Sequence, residues 1–316
     1  MQAVASIRLP VAILGYGNQG RAQALNLRDS GVSVFVGARP GAGAEQAKRD
    51  GFTVSDFSDA VFHAEVVMFL LPDHVIPGVY SDLGERLNGL FLGFSHGFAV
   101  HFCGLKRWEK SHFFLVSPKG AGVWLRKNYE TRRYLPGVFA VGPSEHPETV
   151  RKVALWYAEA IGVAQKYLKE TTFQEEVECD LFGEQTVLCG GIPQLIEAAY
   201  DILIARGHQP EMAFFECFYE AKLIIDLLLE CGPKGMTQRI SPTAYYGGQT
   251  VGRKLINAEA RAEMERVFEA IRSGEFAARW MAEARKGMPT LKEASEKIAA
   301  SSLQETYDKL CDKIRE

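Results

Sequence analysis

A chain of 316 residues with 39 acidic and 36 basic side chains carries a net charge of −3, which offers no positive field for a nucleic acid or another polyanion. Hydrophobic residues make up 47% of it, enough at this length for a substantial core and two domains. There is no signal peptide and no apolar run of about 18 residues, the length a membrane-spanning helix needs, so a cytoplasmic protein is expected. The six cysteines, at 103, 179, 189, 217, 231 and 311, have no CxxC or disulfide-framework spacing and read as reduced thiols.

Val11-Ala-Ile-Leu14 reads as a buried strand that runs straight into Gly15-Tyr-Gly-Asn-Gln-Gly20, and the amphipathic ALNLRDSG stretch that follows reads as a helix. This is the dinucleotide fingerprint. Gly15 permits the tight turn, Gly17 lets backbone N–H groups approach a pyrophosphate, and Gly20 lets helix and strand pack closely. Tyr16, Asn18 and Gln19 complete the candidate cofactor loop. A second strand, Val32–Val36, ends without the acidic residue that would bind a ribose 2′-hydroxyl. Instead Arg39 follows, whose planar fork suits a 2′-phosphate. NADPH is therefore favoured, with NADH left open.

Strands are next predicted at Glu65–Leu71, Leu90–Gly93, Phe113–Val116 and Val138–Val141, alternating with helices. The expected fold of residues 1–171 is a Rossmann domain, a doubly wound parallel sheet. Its ligand crevice lies at the carboxyl ends of the strands. Leu71, Pro72 and Asp73 are therefore candidate cofactor contacts, as is Gly122 beyond the fourth of these loops, while His96 and Lys119 lie in the loops between. From residue 172 to 316 the pattern is helical throughout, with helices predicted at Gly191–Arg206, Pro210–Glu230, Ala258–Ser273 and Leu291–Glu316. This second domain is expected to be all-α.

Two acidic pairs, Asp180/Glu184 in CDLFGEQ and Glu216/Glu220 in FFECFYE, place like charges one helical turn apart inside apolar runs. Carboxylates so spaced repel each other by roughly 0.2–0.5 kcal/mol on a surface, and desolvation would cost several kcal/mol more. Oxygen donors alone, with no His or Cys among them, suit a hard divalent ion such as Mg²⁺. A solvated helix edge, or pairing with Lys222, is the alternative reading. The segment Ala221–Leu229 has only Lys222 and Asp226 as charges and needs cover on several sides, which predicts a subunit interface.

These motifs occur in one order: GYGNQG, LLPD, SHGF, SPKGAG, DLFGEQTVLCGG, FFECFYEAKLIIDL and ISPTAYYGG. From about residue 9 onward the chain resembles the short-form (class I) ketol-acid reductoisomerases, the acetohydroxyacid isomeroreductases of branched-chain amino-acid synthesis. The resemblance implies a Rossmann domain for NADPH and a knotted helical domain that forms at least a homodimer around two Mg²⁺ ions. It places Asp180 and Glu184 as metal ligands from one subunit and Glu216 and Glu220 as ligands from its partner, so that the active site is shared. His96, Lys119 and Glu220 are then the catalytic candidates, and Cys189 and Ser241 the substrate-binding ones. The implied reaction takes a 2-hydroxy-2-alkyl-3-keto acid of the 2-acetolactate type through alkyl migration and reduction to a 2,3-dihydroxy acid.

Departures from the family pattern cluster. The loop Ala38–Ala44 is one residue shorter than the common form and lacks its serine, which bears on cofactor preference. His74 and Ile76 replace an acid and a glutamine near the cofactor ribose, and Arg21 replaces a histidine where it could add positive charge near the pyrophosphate. Val123, Tyr219, Pro242 and Tyr245 alter the expected pocket wall. The family's usual leader segment is also missing before the first strand. Together these point to a divergent member, with a paralogue acting on a related keto acid or imine as the alternative. A plain reductase and a catalytically silent nucleotide-binding protein are further readings.

Overall fold

The computed structural model describes residues 7–314, of which Cys311 and the last residues contribute backbone only. The end of the helix predicted to reach Glu316 lies outside the described residues. The chain divides between Cys179 and Asp180 into two compact units.

The first unit alternates strands and helices: β1 (Val11–Leu14), α1 (Asn18–Asp29), β2 (Val34–Gly37), α2 (Ala42–Arg49), β3 (Val54–Ser55), α3 (Phe57–Phe62), β4 (Val66–Phe69), α4 (Ile76–Leu83), β5 (Phe91–Phe94), α5 (Phe98–His101), β6 (His112–Pro118), α6 (Gly122–Glu130), β7 (Leu135–Val141), α7 (Pro147–Ala160), β8 (Val163–Glu170) and the start of α8 (Phe173–Gly183). The eight strands form one sheet in the order β3-β2-β1-β4-β5-β6-β7-β8. Pairing is parallel from β3 through β6, antiparallel between β6 and β7, and parallel again between β7 and β8. The sheet is thus mostly parallel, with its last two strands reversed.

Alternation of side chains along each strand divides the core into two layers. Val11, Ile13, Val66, Met68, Phe114 and Val116 pack on one face with α1 and α7, where Leu27, Trp156 and Tyr157 are buried. Ala12, Leu14, Val67, Phe69, Phe113 and Leu115 pack on the other with α3 and α4. Both faces being covered explains why the central strands read as continuous apolar runs. Ile76, expected near the cofactor ribose, is 3% exposed and belongs to this second layer.

The second unit is helical: the remainder of α8, α9 (Gly191–Ala205), α10 (Pro210–Phe214), α11 (Glu220–Thr237), α12 (Pro242–Leu255), α13 (Ala258–Arg272), α14 (Glu275–Arg285), α15 (Pro289–Ala299) and α16 (Ser302–Ile314). A small core of Tyr200, Ala213 and Phe214 is closed by Leu303 and Tyr307, and the buried Tyr200 hydroxyl lies 2.9 Å from Thr306 Oγ1. Much apolar surface stays exposed, including Leu195, Ile202, Leu223, Leu228 and Leu229. One helical stretch, Phe173–Ala205, is long and apolar enough to cross a membrane by length and composition, although only 6% of its most apolar window is buried. The expectation of no such segment rested on uninterrupted apolar runs; here charges punctuate a stretch whose average is apolar.

Phe114 is fully buried between β5 and β7 and stacks edge-on against Tyr157, with ring centroids 5.9 Å apart. Phe114→Ala is expected to lower stability by about 3–5 kcal/mol. Urea unfolding would show this, and a loss under about 1 kcal/mol would mean that this layer repacks freely.

Candidate active site

The strand-to-helix turn after β1 is held by backbone contacts that exclude side chains. Gly15 has φ +96°, and a Cβ there would lie 2.6 Å from the Leu70 carbonyl; one on Gly20 would collide with the Gly15 carbonyl. Gly17, by contrast, faces open space. It precedes α1, whose N-terminus has no side-chain cap and no acid in its first turn, so its N–H groups and dipole are available to an anion. These features fit a dinucleotide pyrophosphate.

Helix α6 begins beside the same turn. Asn18 Oδ1 accepts from the Gly122 N–H at 2.5 Å, and Gln19 Nε2 donates to the Gly120 carbonyl at 2.9 Å. Asn18, Gln19 and Gly122 are therefore one connected feature. Behind them Gln23, fully buried in α1, accepts from Tyr157 Oη at 2.7 Å and donates to Ser95 Oγ at 3.0 Å. This ties the nucleotide turn to the loop after β5. Arg39 is exposed in the loop between β2 and α2. Arg21, expected to add charge near the pyrophosphate, is instead bound to Asp50, with Nε 2.7 Å from Oδ2.

At the carboxyl ends of β4, β5 and β6 the remaining candidates of this unit converge. His96 Nδ1 lies 3.1 Å from Asp73 Oδ2, which fixes the ring's orientation. Glu176, on α8, is 3% exposed, yet its carboxylate accepts from the Gly97 N–H at 2.9 Å and from Lys119 Nζ at 3.0 Å. It joins the His96-Gly97 loop to the end of β6. The Thr172 hydroxyl caps α8 by accepting from the Glu175 N–H at 3.0 Å, so the helix starts where Glu176 can point inward. Sequence reading missed Glu176, although it stands four residues before Asp180 and so extends the spacing of the first acidic pair.

In the second unit both acidic pairs coincide with a change of helical type. Residues Glu184–Leu188 and Phe215–Tyr219 are π-helical, so Glu184 opens one such segment, Glu216 lies in the other, and Glu220 follows it. Single π turns inside α-helices recur at functional sites. Asp180 is half-buried, whereas Glu184, Glu216 and Glu220 are exposed, so the expected desolvation does not occur within one chain. Lys222 is engaged by Asp226. Among the described residues of the single chain, no three His, Cys, Asp or Glu side chains gather where they could hold a metal.

Ser241 caps α12, its Oγ accepting from the Ala244 N–H at 3.1 Å, which leaves the hydroxyl proton to donate elsewhere. Cys189 is exposed at the end of the first π segment. Burial, reinforced by neighbouring carboxylates, pushes the thiols of Cys103, Cys179 and Cys217 up from their ordinary range, which keeps them protonated and unreactive.

Residues 8–166 match the family model for the acetohydroxy acid isomeroreductase NADPH-binding domain, and residues 173–316 match that for the ketol-acid reductoisomerase C-terminal domain. The chain belongs to the ketol-acid reductoisomerase family. It is accordingly an NAD(P)H oxidoreductase. The solved structure of an NADH-preferring ketol-acid reductoisomerase from an uncultured archean is 37% identical, with a TM-score of 0.92, covering 96% of this chain and 94% of that one. Two further structures share the fold. A semialdehyde dehydrogenase NAD-binding protein from Cupriavidus necator is 17% identical, with a TM-score of 0.65 and coverage of 84% and 99%. A pyrroline-5-carboxylate reductase from Coxiella burnetii is 14% identical, with a TM-score of 0.60 and coverage of 87% and 99%.

In this reductoisomerase the Glu176 bridge makes a stability prediction. Glu176→Ala leaves the buried Gly97 N–H without its acceptor and is expected to cost about 1–3 kcal/mol, whereas Glu176→Gln keeps an acceptor oxygen and should cost less. Urea midpoints of the two variants compared with the parent would decide; equal losses would mean that Gly97 does not depend on this acceptor.

Proposed function

We propose that the chain converts a 2-hydroxy-2-alkyl-3-keto acid of the 2-acetolactate type into a 2,3-dihydroxy acid, dependent on Mg²⁺ and NADPH, as in valine and isoleucine biosynthesis. The observation that carries the reading is that both acidic pairs are present at one spacing, each on a π-distorted helix. Their donor set, carboxylate oxygen alone, fits Mg²⁺. Asp180 and Glu184 of one chain with Glu216 and Glu220 of its partner would hold two ions in a homodimer. The exposed apolar faces of α9 and α11 support that assembly, since no residue of α11 is buried within the single chain. A cytoplasmic location belongs to the same reading.

When bound, the two ions would polarise the carbonyl and stabilise alkoxide charge, and the nicotinamide would supply hydride. The chain's own residues do the rest. The Ser241 hydroxyl donates to the substrate carboxylate. Glu220 takes up the proton of the substrate hydroxyl, which allows the alkyl group to move from C2 to C3. Lys119, held by Glu176, donates to the oxyanion that develops as C2 is reduced. His96 is set against Asp73 beside the same centre. The turn Gly15–Gly20 with Leu71, Pro72, Asp73 and Gly122 holds the cofactor, and Cys189 lines the substrate. Exposed Arg39 favours NADPH through its 2′-phosphate; the shortened loop around it keeps NADH as the alternative.

A second reading, a paralogue acting on a related keto acid or imine, is favoured by Tyr219. This residue lies between Glu216 and Glu220 in the second π segment and puts an aromatic ring where the family carries histidine. Val123, Pro242 and Tyr245 change the same expected wall.

Purified protein is expected to oxidise NADPH with racemic 2-acetolactate in the presence of Mg²⁺ and to stop with EDTA. Glu184→Gln and Glu220→Gln should each reduce that turnover at least about 100-fold while NADPH affinity stays within about twofold. Equal loss of cofactor binding would make the acids structural. Turnover of 3-hydroxy-3-methyl-2-ketobutyrate but not of acetolactate would show that migration is lost and favour the reductase.

A further inference from the structure

Helix α2 has an acidic residue where a helix least tolerates one. Asp50 caps its C-terminal end, facing the negative pole of the helix dipole. Four hydrogen bonds offset this. Oδ2 accepts from Arg21 Nε at 2.7 Å and from Tyr16 Oη at 2.9 Å, while Oδ1 accepts from Gln46 Nε2 at 3.0 Å and Arg21 Nη2 at 3.1 Å. Arg28 Nη1 donates to the Asp50 carbonyl as well, at 2.5 Å. The Arg21 guanidinium is the chief cause that holds the Asp50 carboxyl down at about 2, so it is ionised at any working pH.

Tyr16 is the part of this cluster that reaches the nucleotide turn. Its backbone lies between Gly15 and Gly17, and its carbonyl abuts the first turn of α2, where a Cβ on Gly43 would come within 3.1 Å of it. Its ring is buried edge-on against Phe52, with centroids 5.8 Å apart, and its hydroxyl ends on Asp50. An eight-residue helix is about 10 Å long. Tyr16 therefore touches α2 at both ends, like a strut laid along it. The loop at 38–41, between β2 and α2, is thereby held at a fixed distance from the dinucleotide turn.

We propose that Asp50 is a positioning residue for the adenosine end of the nicotinamide cofactor, acting through Tyr16 and Arg21 to set α2 and the 38–41 loop against the Gly15–Gly20 turn. The proposal rests on the reading that the cofactor binds at that turn. Asp50 touches neither the reacting carbon nor the metal-holding acids, so its loss acts on cofactor affinity and leaves the chemical step alone.

The test measures dissociation constants of NADPH and NADH by nicotinamide fluorescence for the parent, Asp50→Asn, Asp50→Glu, Tyr16→Phe and the Asp50→Asn/Tyr16→Phe double variant. For Asp50→Asn it adds kcat and the KM of the keto acid. Asp50→Asn and Tyr16→Phe are each expected to weaken both cofactors about tenfold, as loss of a hydrogen bond to a charged group does. The double variant should be no weaker than the worse single, because both act through one contact. Asp50→Glu should recover part of the affinity, and kcat of Asp50→Asn should stay within about twofold of the parent. Unchanged affinity in a folded Asp50→Asn, a fall in kcat without a change in affinity, or losses that multiply in the double variant would each overturn the proposal. If Asp50→Asn does not fold, unchanged affinity in Tyr16→Phe overturns it alone. A parent protein that binds neither nucleotide would overturn the cofactor reading and this proposal together, whereas a binding parent with unaltered variants overturns only the proposal.

Discussion

The buried carboxylate of Glu176 constrains the catalytic end of the first unit. A carboxylate taken out of water costs several kcal/mol unless donors surround it. Here the donors are the Gly97 N–H and the Lys119 ammonium, 79 and 57 residues away in the chain. Satisfying one side chain therefore requires that the loop after β5, the end of β6 and the start of α8 meet. Packing agrees with that demand. The Phe173 ring, three residues earlier on α8, meets Phe94 of β5 edge-on, and the Phe173 carbonyl leaves no room for a side chain on Gly97.

The nucleotide end shows the same economy of polar contacts. Gln23 and Asn26 are fully buried polar residues of α1, and each is satisfied: Gln23 by Tyr157 and Ser95, Asn26 by the Ile161 carbonyl at 2.9 Å and by Arg126. A satisfied buried amide fixes orientation where apolar contacts alone would allow sliding. Helix α1 is thereby locked to α6 and α7, so the glycine turn at its start has a rigid support.

Much of this was legible in the sequence because it is local. The strand Val11–Leu14, the glycine turn and the acidic pairs are each written within a dozen residues. What could not be read depends on partners far apart in sequence. Arg21 looked like a free cation beside a pyrophosphate until Asp50, 29 residues on, took its charge. Glu176 looked like one more acid on a helix surface, since nothing near it in the chain announces Lys119. Strand β8 was missed for a different reason: it lies at the sheet edge, and its exposed Gln165, Lys166, Tyr167 and Lys169 hide the alternation that marks a half-buried strand. The reversal of β7 is invisible because side-chain patterns carry period and burial but not direction. The acids of the second unit were expected to be desolvated; within a single chain, three of the four stand at the surface.

The two π-helical segments set a rule for chain length in the second unit. A π turn is a helix carrying one residue more than its regular winding needs. Each residue of an α-helix advances the winding by about 100°. Dropping a single residue from Phe215–Tyr219 would relax that turn to ordinary α-helix and swing the azimuth of everything downstream by about that angle, so that the apolar stripe of α11 would face where its Lys222 and Asp226 edge now lies. Chain count here is a matter of helical phase: substitutions can drift at Phe218 or Tyr219, but insertions and deletions cannot.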